Sequence, residues 1–124
     1  RGAYKKIVIK IIKFFLNSGG LLKNLQVVIG PCIAQNHYEV KNDFKKKFIK
    51  QSPKNIIYFR STKNKIFFSL RDYIKDQLVN FGIKNIEIIK KDTYNRNNNF
   101  FSSRRSLKNK KNDYGRNISL IMIK

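Results

Sequence analysis

One loop holds both the single cysteine and the single histidine of the 124-residue chain. An apolar run ends at Gly30-Pro31, Cys32 follows, and the loop continues through His37 to Tyr38. Loops that follow buried strands commonly carry functional residues, so we predict that Gly30-Pro31-Cys32 and Tyr38 line a site. Cys32 is a candidate nucleophile only if a base lies within hydrogen-bond reach. The commoner roles are a small buried residue for Cys32 and an exposed loop residue for His37.

Two adjacent arginines follow two phenylalanines and two serines in the stretch FFSSRR, residues 100–105. A guanidinium group is planar, permanently charged and suited to bidentate binding of phosphate or carboxylate. On a strand, Arg104 and Arg105 would point to opposite faces, so at most one would reach a site and the other would pair structurally. A plain surface role for both arginines is the alternative interpretation.

The tripeptide Tyr114-Gly115-Arg116 precedes a final apolar stretch. Gly115 permits backbone angles that other residues adopt only with strain. A turn at this glycine could bring Arg116 back toward the arginine pair, which makes Arg116 a further candidate for anion binding. Taken alone, the tripeptide has low specificity.

The composition is strongly basic, with 28 Lys and Arg against 7 Asp and Glu and a formal net charge of +21. Most of the excess is lysine. It accompanies 18 isoleucines and 15 asparagines, a bias typical of A/T-rich codons, so the charge is weak evidence for a nucleic-acid partner. A hydrophobic content of 41% excludes wholesale disorder.

The scarcity of cysteine and histidine limits the possible classes of site. One cysteine excludes a disulfide framework and fits a reducing compartment, so we expect a cytoplasmic location. One cysteine and one histidine are too few for a self-contained zinc site, which needs three or four ligands. No apolar run reaches the roughly 18 residues of a membrane-spanning helix, so we expect no membrane partner.

Apolar spacing predicts an alternation of helices and strands. The predicted helices cover residues 4–16, about 44–49 and 70–81, and the predicted strands cover residues 25–29, 56–60, 66–68, 85–90 and 117–123. Ser69 and Asp72 resemble a capping box that begins the third helix, and Gly82 ends it. The first helix packs on a core in the first interpretation and lies on a membrane surface in the alternative. The alternation predicts an α/β fold, with residues 1–124 forming a single domain.

Taken in order, these pieces resemble the C-terminal half of the laccase-domain family. Its members have been described as multicopper polyphenol oxidases, peptidoglycan editing factors and zinc-dependent purine nucleoside phosphorylases. The resemblance covers essentially the whole chain, and the matching stretches are residues 1–2, 27–40, 68–82, 92–94, 100–105 and 114–116. It implies a mixed sheet flanked by helices in an α/β/β/α layering, incomplete in this chain, which would be the C-terminal portion of a larger domain.

The resemblance also implies an activity and a set of site residues. The family is understood to cleave the N-glycosidic bond of purine nucleosides with phosphate as acceptor, and some members deaminate adenosine. Purine nucleoside and phosphate are therefore the implied partners, and the arginines in matching positions are the implied substrate- and phosphate-binding residues: Arg1, Arg104, Arg105 and Arg116. Because phosphate needs fixed positive donors, these residue types fit the implied chemistry.

The family's zinc ligands, two histidines and a cysteine, belong to the half that precedes the matching region, so none maps onto this chain. Copper is implied only by the older assignment as an oxidase. Arg1-Gly2 matches the end of the stretch that carries the last zinc ligand, and Cys32 matches a loop position instead. Asp92 stands where many members have cysteine. We therefore expect a chain that holds no metal ligands, contributes half of a site and is inactive alone.

Two other readings of the sequence stay open. A small basic nucleic-acid-binding module would bind with an affinity that falls steeply with salt. A non-catalytic gene remnant would lack, in the DNA upstream of Arg1, an in-frame segment encoding the metal ligands. If the other half is absent, apolar faces would be exposed, and we expect self-association.

Overall fold

The computed structural model describes residues 2–111 and 114–120. Within these residues the strands are β1 Gln26–Ile29, β2 Glu39–Val40, β3 Phe59–Thr62, β4 Lys65–Phe68 and β5 Asn85–Ile88. The α-helices are α1 Ile7–Asn17, α2 Asn42–Gln51, α3 Leu70–Phe81 and α4 Ser103–Lys108. Short 3-10 turns lie at Leu22–Asn24, Gln35–His37, Pro53–Tyr58 and Arg96–Asn98. None of the helices described here combines the length and apolarity needed to cross a bilayer.

The strands form two sheets. Strands β1 and β5 pair in parallel, with Ile29 opposite Ile88. Strands β2, β4 and β3 form an antiparallel sheet in that order, with Phe59 opposite Phe68. Parallel and antiparallel sheets flanked by helices confirm the predicted α/β class.

Helix α1 is shorter at its start than the apolar spacing predicts. Lys6 adopts a left-handed backbone with φ of 51°, which interrupts the helical path, and the helix begins at Ile7. Ile12 is buried, but Ile7 and Ile11 are 46% and 61% exposed. The prediction that these two isoleucines share the core-packing face is therefore wrong, because only part of the apolar surface of α1 packs against the core.

The segment before β3 differs from the predicted strand over residues 56–60. Pro53 begins a 3-10 turn that extends to Tyr58, and the strand starts only at Phe59. Asn55 fixes the turn by donating from Nδ2 to the Phe48 carbonyl at 2.8 Å. Burial of Tyr58 raises its pKa, and the hydrogen bond from its hydroxyl to Asp76 adds to that shift. The buried tyrosine therefore anchors the turn against α3.

Helix α3 follows its prediction closely. Ser69 occupies the N-cap position, and the helix ends at Gly82, whose φ of 102° suits glycine. The predicted capping box is not formed, because the Ser69 hydroxyl donates to the Asp72 carboxylate at 2.5 Å instead of capping the backbone. Asp72 thus lies in the first turn of α3, where its negative charge interacts favourably with the positive end of the helix dipole.

Two hydrophobic cores flank α3. The aromatic core lies against the antiparallel sheet, and its buried residues are Val40, Phe48, Tyr58, Phe68 and Tyr73. The aliphatic core lies against the parallel sheet, and its buried residues are Ile12, Ile29, Leu78 and Ile83. Because Tyr73 and Leu78 both belong to α3, this helix contributes to both cores and links the two sheets through them.

The C-terminal part of the described chain differs most from expectation. Residues 103–108 form helix α4 and no strand, and its N-cap Ser102 accepts a hydrogen bond from the Arg105 N–H at 3.4 Å. Residues 117–120 form no strand either, while residues 121–123 of that predicted strand lie outside the described residues. Over residues 117–120 the apolar pattern misled, because Ile118 and Leu120 are 82% and 86% exposed.

Candidate active site

Two neighbouring clefts meet at the start of α4. We call the first, of about 430 Å³, the basic cleft, and it is lined by Asn36, His37, Glu39, Lys65, Phe67, Tyr94, Arg104 and Lys108. We call the second, of about 330 Å³, the arginine cleft, and its polar lining includes Thr93, Ser102, Ser103, Arg104, Arg116 and Asn117. Arg104 lies at their junction because it lines both.

The Arg104 side chain is held over the antiparallel sheet from above. Its guanidinium carbon lies 5.1 Å from the centre of the Tyr38 ring, an arrangement that stabilises a cation. Its Nη1 donates to the Glu39 backbone carbonyl at 2.9 Å, the one hydrogen bond that it makes to the described residues. A guanidinium has five N–H donors. Among the residues that the structure describes, the other four meet no protein acceptor and are open to a ligand in the clefts.

Arg105 has a different environment. Its Nη1 donates to the carbonyls of Thr93 and Tyr94 at 3.2 and 2.8 Å, and its Nη2 donates to the carbonyl of Phe100. Three carbonyls thus occupy the fork of a half-buried guanidinium. Arg105 therefore connects α4 to the loop that precedes it. Of the two arginines, Arg104 is the one that faces both clefts.

The sequence analysis suggested that Arg116 comes back toward the arginine pair, and in the structure Arg116 and Arg104 line the same cleft. Arg116 lines the arginine cleft with Arg104, and its guanidinium lies 4.1 Å from the centre of the Tyr114 ring. The segment is held by Asn117, whose amide exchanges hydrogen bonds of 2.9 and 2.8 Å with the backbone of Phe101. Arg1, the remaining predicted arginine, lies outside the described residues.

Gly115 serves a purpose other than the predicted unusual backbone angle. The glycines with positive φ in the described residues are Gly19 and Gly82. At Gly115, a Cβ atom would instead overlap the ring of Phe101. The glycine therefore allows close approach of two segments at the arginine cleft.

The predicted site-lining loop divides into two parts. Tyr38 lines the arginine cleft and supports Arg104, whereas Gly30, Pro31 and Cys32 line neither of the two clefts. Cys32 is half-buried and forms an isolated parallel bridge with Asp92. The bridge places this loop beside the segment after β5, so its backbone fixes the position of Asp92.

His37 is not the simply exposed loop residue that the sequence predicts. Its Nδ1 lies 2.5 Å from Asp92 Oδ2, and its ring stacks on Tyr94 with centres 4.5 Å apart. Burial opposes ionisation of Asp92, but N–H bonds from Ala34 and Tyr94 and contact with His37 outweigh it. The pKa of Asp92 is therefore below its ordinary value, which favours a carboxylate beside the imidazole.

The basic cleft contains residues that the sequence analysis did not select. Lys65 and Lys108 add two cations to Arg104, and Glu39 lies 3.4 Å from Lys65. Lys65 and Lys108 come from β4 and α4, so no local motif identifies them among 21 lysines. The one signal available in the sequence for Asp92 and Tyr94 was the matching stretch over residues 92–94.

The described residues do not fit a metal centre. Over residues 2–111 and 114–120, no three side chains of His, Cys, Asp or Glu are grouped so as to hold an ion. His37 and Asp92 bind each other, and Cys32 contributes no third ligand to them.

Comparison with known proteins identifies the family. The profile of the multi-copper polyphenol oxidoreductase laccase family matches residues 1–124. A purine nucleoside phosphorylase of Rickettsia prowazekii (strain Madrid E) is 33% identical over 108 residues, which are 86% of this chain and 44% of the relative. A purine nucleoside phosphorylase of Rickettsia conorii (strain ATCC VR-613 / Malish 7) matches with the same identity and coverage. The chain thus spans less than half the length of either relative. It belongs to the multi-copper polyphenol oxidoreductase laccase family, the family that its motifs resemble.

Proposed function

We propose that this chain contributes the phosphate-binding side of a purine nucleoside phosphorylase site. Arg104 carries the proposal, because four of its N–H donors meet no acceptor within residues 2–111 and 114–120 and lie at the junction of two clefts. Two relatives that carry the name purine nucleoside phosphorylase supply the substrate class. Purine nucleoside and inorganic phosphate are the proposed ligands.

The charges around Arg104 fit a phosphate dianion. Lys65 and Lys108 extend the positive surface along the basic cleft, and Arg116 extends it along the arginine cleft. A planar guanidinium binds two phosphate oxygens at once, while lysines act as point charges that compensate the remaining charge. Donors fixed before binding also stabilise charge that develops in a transition state.

The remainder of the site is proposed to come from the part of the protein that corresponds to the rest of the relatives' length. Residues 1–124 would then be the C-terminal portion of a larger laccase-type domain and inactive alone. Use of zinc, and deamination of adenosine, belong to this proposal for the whole protein. Since the described residues hold no metal centre, we assign this chain no metal-dependent step. The single free cysteine supports a cytoplasmic location.

Phosphate binding tests the proposal on the chain itself. We expect inorganic phosphate, titrated at constant ionic strength, to shift the Arg104 side-chain resonances in a saturable way. Arg104→Ala should abolish the saturable shift. Lys84→Ala removes an exposed cation at the amino end of β5 and should leave phosphate affinity unchanged. Absence of saturable binding at ~10 mM phosphate, a free energy weaker than about 3 kcal/mol, would overturn the proposal.

Turnover tests the reaction class. We would fuse this chain to the part of the R. prowazekii phosphorylase that the match leaves uncovered, and supply inosine with and without phosphate. The proposal predicts phosphate-dependent release of hypoxanthine by the fused protein and none by the chain alone. A folded, phosphate-binding fusion that releases no hypoxanthine would contradict the phosphorylase assignment. Stoichiometric zinc and turnover in the chain alone would contradict the half-site.

A further inference from the structure

We infer that His37 is a catalytic proton donor, which protonates the departing purine from Nε2 while Asp92 holds the ring through Nδ1. The inference rests on the proposed function and deepens it by naming a second role within the same cleft. Phosphate bound by the Arg104 guanidinium would provide the nucleophile, and His37 would donate a proton to the leaving purine. Both residues line the basic cleft.

Every acceptor oxygen of Asp92 has a defined partner. Oδ1 accepts from the backbone N–H groups of Ala34 at 3.0 Å and Tyr94 at 2.9 Å. Oδ2 is left for Nδ1 of His37 at 2.5 Å. Since an ionised carboxylate only accepts, Nδ1 must carry the proton. Asp92 therefore fixes the tautomer of the ring and leaves Nε2 as the nitrogen that gains and loses a proton.

The ring is also fixed in orientation and open to the cleft. Tyr94 stacks on it with an interplanar angle of 24°, which prevents free rotation of the imidazole. The His37 side chain is 36% exposed, whereas that of Asp92 is 15% exposed. In the described residues, the bond to Asp92 is the one hydrogen bond that the His37 side chain makes. An oriented ring with one anchored nitrogen is the arrangement expected of a general acid or base.

The charges around the ring suit an anionic nucleophile in the same cleft. The basic cleft places Lys65, Arg104 and Lys108 around a space that His37 also lines, and Glu39 is the acidic side chain in the lining. A phosphate dianion bound among these cations would place the nucleophile in the same cleft that the imidazole lines.

The proposed step balances in atoms and charge. An oxygen of hydrogen phosphate forms a bond to C1′ of the ribose as the C1′–N9 bond breaks, and the electron pair of that bond goes to the purine. The protonated Nε2 of His37 gives its proton to N7 of the purine, which leaves as the neutral base. The proton released by the sugar phosphate returns the ring to its charged form. No other reactant is required.

A substrate pair separates a proton donor from a structural histidine. Inosine needs protonation of its leaving group, whereas 7-methylguanosine already carries positive charge on its base and does not. In the fused protein, His37→Asn keeps a donor for Asp92 but lacks the proton at Nε2. We expect kcat for inosine to fall by about 10²–10⁴-fold and kcat for 7-methylguanosine to change by less than about tenfold. Equal losses on both substrates would overturn the inference.

Two controls keep the proposals distinguishable. Arg104→Ala should lower phosphorolysis of both nucleosides because it removes phosphate binding, which is the proposed function and not the role of His37. If the fused protein with native His37 is inactive on both nucleosides, the proposed function fails. The NMR spectrum of the chain then decides the role of His37. With phosphate present, hypoxanthine should shift the Nε2 resonance, and an unchanged Nε2 resonance would overturn the inference.

Discussion

Arg104 and Arg105 are adjacent in α4, yet one guanidinium faces two clefts while the other is bound by three backbone carbonyls. On a helix, successive side chains point about 100° apart, so neighbours can serve different surfaces. The sequence-based prediction that one arginine of the pair is structural agrees with this geometry, although a strand was the assumed cause.

Arg105→Lys should therefore lower stability more than Arg104→Lys. Lysine keeps the charge at position 105 but cannot reach Thr93, Tyr94 and Phe100 together, which leaves half-buried carbonyls without donors. We expect the free energy of unfolding to fall by roughly 2 kcal/mol. Arg104→Lys, the matched control, should change it by less than about 0.5 kcal/mol. Urea unfolding followed by circular dichroism measures both, and equal effects would contradict the assignment.

Acid sensitivity is expected from Asp92. Burial opposes its ionisation, but N–H bonds from Ala34 and Tyr94 and the His37 contact lower its pKa below the ordinary 3.8. A carboxyl with a lowered folded pKa stabilises the fold fully above its unfolded pKa, and this contribution is lost as pH falls through the folded pKa. Native stability should decline below about pH 4.

Asp92→Asn should flatten that part of the acid dependence, as measured by urea unfolding from pH 6 down to ~pH 2. Asp43→Asn, in the first turn of α2, is the matched control and should retain the native slope. If the free energy of unfolding depended on pH in the same way in the native chain and in Asp92→Asn, ionisation of Asp92 would not contribute to the acid dependence of stability.

Gly115→Ala should destabilise the arginine cleft. The added methyl group would overlap the Phe101 ring, and relief requires movement of one of the two segments. Overpacking of this kind costs about 1–3 kcal/mol. Gly30→Ala is the control, since a Cβ there meets no atom within 4 Å. Thermal melting should separate the two variants; a Gly115→Ala melt like that of the native chain would mean that the segments do not approach so closely.

Leu78→Ala should be the more damaging of two neighbouring truncations in α3. Leu78 is fully buried in the aliphatic core, whereas Val79 is 50% exposed. Loss of a buried leucine typically costs about 2–5 kcal/mol, while Val79→Ala should cost less than about 1 kcal/mol. The urea midpoints report the difference. Similar midpoints would mean that α3 does not bury Leu78 in preference to Val79.

Self-association is expected from an exposed apolar stripe on α1. Ile7, Ile11 and Phe14 occupy one helical face and are 46%, 61% and 74% exposed. Phe14→Lys should reduce association, because it removes apolar area and adds charge. Asn17→Lys adds the same charge on the same helix and should have a smaller effect. Light scattering over a concentration series measures both, and a monodisperse monomer in the native chain would contradict the prediction.

The sequence predicts those elements whose local signals agree. Helix α3 has apolar spacing, Ser69 before it and Gly82 after it, and its bounds follow. Helix α4 is only six residues long and largely charged, so it has no apolar period to detect. The left-handed backbone at Lys6 is equally invisible, because no residue type there requires it.

The candidate site is less predictable because it depends on distant pairs. His37 and Asp92 are 55 residues apart, and they meet only after β1 and β5 pair in parallel. Arg104 and Glu39 are 65 residues apart and belong to α4 and β2. Residue types indicated which side chains could bind an anion. Tertiary contacts decided which of them share a cleft.

The position of α3 between two cores has a consequence for cooperativity. Tyr73 packs in one core and Leu78 in the other, five residues later on the same rigid helix. If either sheet separated from α3, the buried side chains of that core would become exposed to water. The helix would then lose part of the packing that holds it against the other sheet. We therefore expect the two sheets to unfold together, in a single cooperative transition.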